Sequence, residues 1–364
     1  MMPEIAMVGD IFLQEALPQT ADLAAITEVL RRADIAFGNL ETPVSERGTP
    51  IDKWINMRMR PALLADVVGM GVDIVTLANN HMWDFGEVAF NDTLGHLRAR
   101  QLPYVGAGRD LDEAWRPAIL PLGELTVAFL GATSTLGPGS AAAEGRPGVA
   151  PIQVSESYHL DPPASLEQPG SAPYVFTRAW REDLERAIAA VKVARSQADF
   201  VVLALHWGVP PFWRPRFQDG LADYQIEVGH ALIEAGADVI VGHHPHSLQE
   251  VEVYRGKPIF YSLGNFVFHH NRGPVEETPV SRNAPYSVQV DRRNREWSET
   301  VIVLADLASA GEARYSLLPA LLDADGNPQL LAGDEARAVI ERLDAMSPSA
   351  QIRFGGSRGH LQLP

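Results

Sequence analysis

An α/β fold with two sheets between helical layers is what this sequence predicts, and three observations carry that prediction. Short apolar runs alternate with amphipathic segments from Ile5 to Val241. The runs are apolar throughout, without the in–out alternation of a half-exposed strand, so they belong to sheets covered on both faces. Beyond Glu250 the texture changes to β-rich segments separated by polar turns, as in antiparallel pairs.

Residues 5–8 form the first expected strand, which ends at Gly9-Asp10. A helix over 20–32 precedes a strand over 34–37 that ends at Gly38-Asn39-Leu40-Glu41. A helix over 61–70 leads to a strand over 72–77, which ends at Ala78-Asn79-Asn80-His81. Residues 90–100 read as a helix with Leu94 and Leu97 on its apolar side, followed by Tyr104-Val105. The strand over 125–130 ends at Gly131-Ala132-Thr133. Residues 136–173 break the rhythm and are rich in Gly, Pro, Ser and Ala. They are expected to form an inserted, partly mobile surface loop near the site. An ordered side lobe is the alternative, since long structureless loops are uncommon in compact domains. The rhythm resumes with a helix over 178–196 and a strand over 200–205 ending at His206-Trp207-Gly208. A helix over 218–235 and a strand over 239–241 follow, ending at Gly242-His243-His244-Pro245-His246. Further β segments are expected over 251–254, 259–262, 287–290 and 300–304. The expected organisation is one domain over 1–305 and an appendage over 306–364, with one helix at 334–345 and a Gly/Pro-rich tail.

Composition narrows the function. The chain has 364 residues, no cysteine and a formal charge of −16. Absence of thiols excludes a disulfide scaffold, a zinc finger and an iron–sulfur site. The negative balance argues against a nucleic-acid or anionic-membrane partner, both of which need a positive field. The N-terminus lacks the basic and long apolar regions of a signal peptide, and no run reaches the roughly 18 apolar residues of a membrane span. The expectation is a cytoplasmic protein with a small-molecule or peptide substrate.

Asp, Asn, Glu and His recur directly after the apolar strands. Taken singly, each has an ordinary reading: Asp10 as a turn or helix cap, Asn79-Asn80 as a turn, His206 as a hydrogen-bonded core imidazole. Recurrence at successive strand ends is a different matter, because ligands of open α/β sheets bind outside the carboxyl ends of the strands. Carboxylate, carboxamide and imidazole are donors for a hard or borderline divalent cation. The pattern therefore predicts one metal-binding or acid/base cluster.

Taken in order, the motifs are Gly9-Asp10, Gly38-Asn39-Leu40-Glu41-Thr42-Pro43, and Asn79-Asn80-His81 with Asp84 and Gly86. They continue with His206-Trp207-Gly208, Gly242-His243-His244-Pro245-His246 and Tyr261-Ser262-Leu263-Gly264-Asn265-Phe266. The set resembles the capsule-synthesis CapA and poly-γ-glutamate PgsA family, a branch of the calcineurin-like metallophosphoesterase superfamily. The resemblance implies a four-layer α/β/β/α sandwich holding one or two divalent ions, with Mn, Mg, Ca and Zn as candidates. It implies Asp10, Glu41, Asn80, His206, His244 and His246 as metal ligands and His81 as the proton-transfer histidine. Two departures stand out. Phe12 occupies the position two after Asp10, where the superfamily carries a histidine, and Glu41 replaces a bridging aspartate. A weakened or single-metal centre is the expectation. Familiar exported members also carry an N-terminal anchor that this chain does not show.

The implied activity is a metal-dependent hydrolase acting on a phosphoester or a γ-glutamyl or peptide bond. Peptide epimerases acting on lasso precursors resemble a related branch, so metal-assisted Cα epimerisation is the alternative. A non-catalytic subunit of polyglutamate or capsule synthesis is the third reading. Asp84 is expected to orient His81, with a helix N-cap as the competing role. Lys53, Arg58 and Arg60 can clamp an anionic substrate group or stand as solvated basic residues. Trp83 and Trp207, next to motif residues, can wall a pocket or pack in the core.

Overall fold

The computed structural model describes residues 2–53, 55–213, 218, 220–269, 276–277 and 295–363. Its centre is the strand Glu4–Phe12, whose side chains alternate between two cores. Ile5 and Met7 point between the sheets, while Ala6 and Val8 point to the outer layer of helices. Burial on both faces explains why the run reads as continuously apolar. On one side Glu4–Phe12 pairs in parallel with Ile35–Leu40, which is followed by Ile74–Thr76 and Tyr104–Val105. On the other side it pairs antiparallel with Glu299–Ser309, and the sheet continues through Glu312–Leu322, Arg358–Gln362 and Gln351–Gly355.

The second sheet runs Val251–Tyr254, Lys257–Phe260, Val239–His243, Phe200–His206, Leu125–Thr133, Ala118–Leu122. Its four inner strands are parallel and its two edges antiparallel. Phe200, Val202 and Ala204 meet the first sheet, and Val201, Leu203 and Leu205 meet helices. The helices Ala21–Arg32, Leu64–Gly69 and Gly86–Ala99 cover the first sheet. Arg181–Gln197 and Asp223–Ala235 cover the second. The result is the four-layer α/β/β/α sandwich. Local sequence supports the layers: Thr20 caps the first helix by accepting from the Leu23 amide, and Leu23, Ile26 and Leu30 fall on its buried face. No helix among the described residues is long and apolar enough to cross a membrane.

Three expectations need revision. Residues 136–173 carry secondary structure between their loops. Gly148–Val149 pairs with Ala107–Gly108, Val154–His159 forms a hairpin with Tyr174–Ala179, and Pro162–Glu167 is a helix capped by Asp161. Small residues there serve close packing, with Ala142, Val149, Ala150 and Ile152 all buried. Residues 178–179 consequently belong to a strand, and the helix starts at Arg181. Residues 306–364 are not set apart: the strand Glu299–Ser309 runs through the expected boundary, and the tail forms the hairpin Gln351–Gly355/Arg358–Gln362. Glycine at 355, 356 and 359 serves the hairpin turn and its packing rather than a loose tail. The expected strand over 287–290 lies outside the described residues.

The C-terminal strands and the helix Gly333–Ala345 contribute Leu307, Tyr315, Leu317, Val339, Ile340, Leu343, Ile352 and Leu361 to the core between the layers. Each buried side chain of this size is worth about 1.5–3 kcal/mol, so together they rival the 5–15 kcal/mol stability of a typical domain. A chain truncated after Ala305 is therefore expected to lose cooperative unfolding in a circular-dichroism melt. A truncated chain that melts like the full protein would refute this role for the C-terminal strands.

Candidate metal centre

Both sheets deliver the carboxyl ends of their parallel strands to one rim. Asp10 lies at an irregularity in the register of Glu4–Phe12 with both of its parallel neighbours. Glycine makes the approach possible: a Cβ on Gly9 would sit 2.0 Å from the Gly264 carbonyl oxygen. With hydrogen there, the Asp10 amide donates to that carbonyl at 3.1 Å. A Cβ on Gly242 would likewise sit 1.9 Å from the Tyr261 carbonyl oxygen. The chain beyond it turns sharply, and His244 (φ 98°) and His246 (φ 55°) both adopt the left-handed region that non-glycine residues rarely enter. Such strain concentrates at functional sites.

Two overlapping donor sets result. Glu41, His206 and His244 form one, and Asp10, Glu41 and His246 the other, with ligand atoms of each set within 4.8 Å of one another. Glu41 is common to both. Its Oε1 is 3.4 Å from His206 Nε2 and 3.7 Å from His246 Nε2. Asp10 Oδ2 is 3.4 Å from His246 Nδ1. Asn80 Oδ1 lies 2.8 Å from His206 Nε2. His244 stands beside them, its ring centroid 4.9 Å from that of His206.

Electrostatics make this arrangement costly without a cation. Asp10 and Glu41 are fully buried. Burial, and then the neighbouring charge of Asp10, push the Glu41 carboxyl well above its ordinary range. Burial opposes ionisation of Asp10 as well, yet the adjacent His246 imidazole, then His243 and the Asn39 amide, hold it below its usual value. Burial and then the neighbouring His246 lower His244 to about 3, and burial first, then His244, pushes His206 well down. Both imidazoles are thus neutral, as a metal ligand must be. Among the described residues, both oxygens of Glu41, Asp10 Oδ2 and His244 Nδ1 are buried without a hydrogen-bond partner. Lone pairs that converge without donors fit a divalent cation.

Carboxamides hold the donors in place, a role the sequence reading did not assign. Asn39 Nδ2 donates to Asp10 Oδ1 at 2.8 Å and lies 3.2 Å from His206 Nδ1, so it ties the two sheets together. Asn79 Nδ2 donates to Asn39 Oδ1 at 3.0 Å. Asn265 Oδ1 accepts from His246 Nδ1 at 2.8 Å and leaves Nε2 facing Glu41. The signal was present in Gly38-Asn39 and Gly264-Asn265, each an asparagine after a glycine at a strand end. His243 is also buried, with Nε2 3.2 Å from the Val8 carbonyl oxygen.

His81 and Asp84 form a pair beside the donors, with Nδ1 2.6 Å from Asp84 Oδ2. The helix N-cap is Phe85, so Asp84 is free of the capping role. Instead it binds the Met57 amide at 2.6 Å and Lys53 Nζ at 2.6 Å. Lys53 Nζ also donates to the Asn80 carbonyl at 2.8 Å. Lys53 thus braces the site from within. Arg58 and Arg60 are exposed, alternating with buried Met57 and Met59, and Arg58 lies over the Phe85 ring at 4.5 Å. Trp83 and Trp207 belong to the core and not to a pocket wall. Trp83 packs on Phe90 at 5.0 Å, while Trp207 stacks on Tyr261 at 5.4 Å and donates to its carbonyl. Their apolar neighbours, rather than their closeness in sequence to motif residues, determine where they face.

With the geometry in view, similarity to known proteins is informative. The family model of the bacterial capsule synthesis protein PGA_cap matches residues 4–270. The chain belongs to the PGA_cap family. The PGA biosynthesis protein CapA of Bacillus subtilis (strain 168) is 31% identical over 273 residues, covering 72% of this chain and 62% of that protein. The capsule biosynthesis protein CapA of Bacillus anthracis is 30% identical over 275 residues, covering 72% and 59%. The match thus spans about six tenths of the length of these PGA_cap relatives. Among solved structures, a novel phosphatase of Mycoplasma pneumoniae is similar at a TM-score of 0.39 and 12% identity, covering 91% of this chain and 92% of that one. The residues matched by the PGA_cap model include every donor of the two sets.

Replacing His206 or His246 by alanine is expected to reduce Mn²⁺ occupancy at least about 10-fold, with the far-ultraviolet circular dichroism unchanged. Asn39→Ala is expected to fall in the same range, because it frees both Asp10 and His206. Elemental analysis of the purified variants measures this. Full occupancy in both histidine variants would remove the metal-site reading.

Proposed function

We propose that this PGA_cap protein is a metal-dependent hydrolase acting on a phosphoester or on a γ-glutamyl or peptide bond. The observation that carries the reading is the sharing of Glu41 between two buried donor sets beside the His81–Asp84 pair. Asp10, Glu41, Asn80, His206, His244 and His246 would hold one or two divalent cations, drawn from Mn, Mg, Ca and Zn. When bound there, a divalent cation supplies Lewis-acid polarisation of the scissile group.

The chain's own groups manage the proton. A carboxylate only accepts hydrogen bonds, so the 2.6 Å contact with Asp84 places the His81 proton on Nδ1 and leaves Nε2 as the acceptor. Burial, and then the Lys53 charge, lower the His81 imidazole to about 4, against the opposing pull of Asp84. His81 is therefore neutral at pH 7; its Nε2 would take a proton from the attacking water as the scissile bond breaks and pass that proton to the leaving group. Asp84 holds the ring in that orientation and stabilises the imidazolium formed in passing. Lys53 Nζ, 2.6 Å from the other oxygen of Asp84, helps fix that carboxylate in place.

A second reading has its own observation. His246 and Asp10, 3.4 Å apart, make another imidazole–carboxylate pair beside Glu41. Two such pairs suit removal of a Cα proton and its return to the opposite face, which is epimerisation without cleavage. Incubation of a peptide substrate in D₂O separates the two: deuterium gain without fragments supports the epimerase, and fragments support the hydrolase.

The hydrolase reading predicts turnover in a panel of phosphoesters and peptides with added Mn²⁺, Mg²⁺, Ca²⁺ or Zn²⁺, abolished by chelation. His81→Ala is expected to lower kcat by about 10²-fold or more while metal occupancy stays intact. Absence of metal-dependent turnover across the panel would overturn the reading.

A further inference from the structure

On one side of the donor sets the rim is apolar. His246 has the Phe268 ring at 5.0 Å and the Trp297 ring at 4.7 Å, centroid to centroid. Phe12 meets Phe268 edge to face at 5.5 Å, and Trp297 meets it at 6.0 Å. Phe12, Met57, Phe268 and Leu322 form a buried cluster, against which Ile55 and Trp297 pack while keeping part of their surface exposed. Asn265 fixes both halves of this arrangement. Its Oδ1 accepts from His246 and its Nδ2 donates to the Trp297 carbonyl at 3.0 Å. Trp297 is therefore placed relative to the donors by the same side chain that orients one of them. Met57 links the wall to the His81–Asp84 pair through the hydrogen bond that its backbone amide donates to Asp84.

The cationic groups tell the complementary story. Lys53 is committed to Asp84 and the Asn80 carbonyl, and Arg58 lies over Phe85. A polyanionic chain such as polyglutamate calls for guanidinium or ammonium groups aimed at its carboxylates. Among the described residues, the surface beside His246 carries the rings of Phe268 and Trp297.

The geometry points to Trp297 as a specificity-determining residue and, with Ile55, to a subsite for an aromatic or bulky aliphatic side chain next to the reacting bond. Resting on the functional reading above, this narrows its substrate to a peptide carrying an apolar residue at that position. A flat indole edge and an aliphatic side chain together bury an apolar group well and reject a charged one, which would lose its hydration without gaining a partner.

Titration calorimetry on the full chain in Mn²⁺ with acetyl-Ala-Xaa-Ala-amide peptides, where Xaa is Trp, Leu, Gly or Glu, tests this. The Trp and Leu peptides are expected to bind about tenfold or more tighter than the Gly and Glu peptides, the scale of one buried apolar side chain. Trp297→Ala is expected to erase that preference, and Trp297→Phe to restore most of it, with Mn²⁺ binding equal to wild type in both. Equal or tighter binding of the Glu peptide, no binding of any peptide, or an unchanged preference in Trp297→Ala overturns the inference. The wild-type series decides the matter even if Trp297→Ala fails to fold. Metal-dependent turnover of phosphoesters by a protein that ignores all four peptides would overturn the subsite and leave the hydrolase reading standing. Apolar preference in a protein without metal-dependent turnover would do the reverse.

Discussion

Two carboxylates buried side by side at the seam between two sheets set the terms for the rest of this structure. Asp10 and Glu41 are both fully enclosed. Two neighbouring anions in a low-dielectric interior are strongly unfavourable unless something positive, or a proton, intervenes. Everything around them can be understood as compensation. The carboxamide of Asn39 binds one, imidazoles crowd the other, and lone pairs of both converge on the same space with no donor to satisfy them. A divalent cation resolves that conflict directly, and the neutral state of His206 and His244 is the state that permits it.

That seam also explains the backbone. Asp10 reaches its place only because Gly9 has no side chain to meet the Gly264 carbonyl. His244 and His246 reach theirs through left-handed backbone conformations. Local strain of this kind persists when the surrounding packing over-determines it. Here the second sheet stays paired up to His243, and the His246 imidazole just beyond it is held by Asn265, Glu41 and Asp10. Precision in the donor positions therefore depends on the packed core between the sheets, to which the C-terminal strands contribute. Residues far from the chemistry in sequence take part in positioning it.

The opposite sides of the site differ in character. His81, Asp84 and Lys53 form a charged, hydrogen-bonded group suited to moving a proton. Phe12, Phe268 and Trp297 form an apolar flank beside His246. Phe12 belongs to the apolar flank. Its ring cannot ligate a cation, and it joins the apolar cluster instead. A site with polar chemistry on one side and apolar contact on the other discriminates substrates by what lies next to the reacting bond.

How much of this was legible beforehand follows from the range of the forces involved. The sandwich was readable because strands buried on both faces must be apolar at every position, and helices covering them must repeat every three to four residues. The convergence of Asp10, Glu41, His206, His244 and His246 on one rim could be anticipated because each stands at the end of one of those strands or just beyond it. The Asp84–His81 pairing was readable as one of two options from a spacing of three. For Trp83 and Trp207 pocket wall and core both stayed open, because closeness in sequence to a motif does not say which side of a strand end faces the core. Residues 306–364 looked like an appendage because antiparallel strands added to a sheet edge carry no marker of which sheet they join. Trp297 had no signal at all, since 51 residues separate it from His246. The sequence by itself determined the alternation of layers and the chemical types at the rim, which are properties of short segments. Only the tertiary structure decided which carboxylate is shared, which carboxamide orients which imidazole, and which aromatic flanks the site, because those are distances between segments that local patterning does not encode.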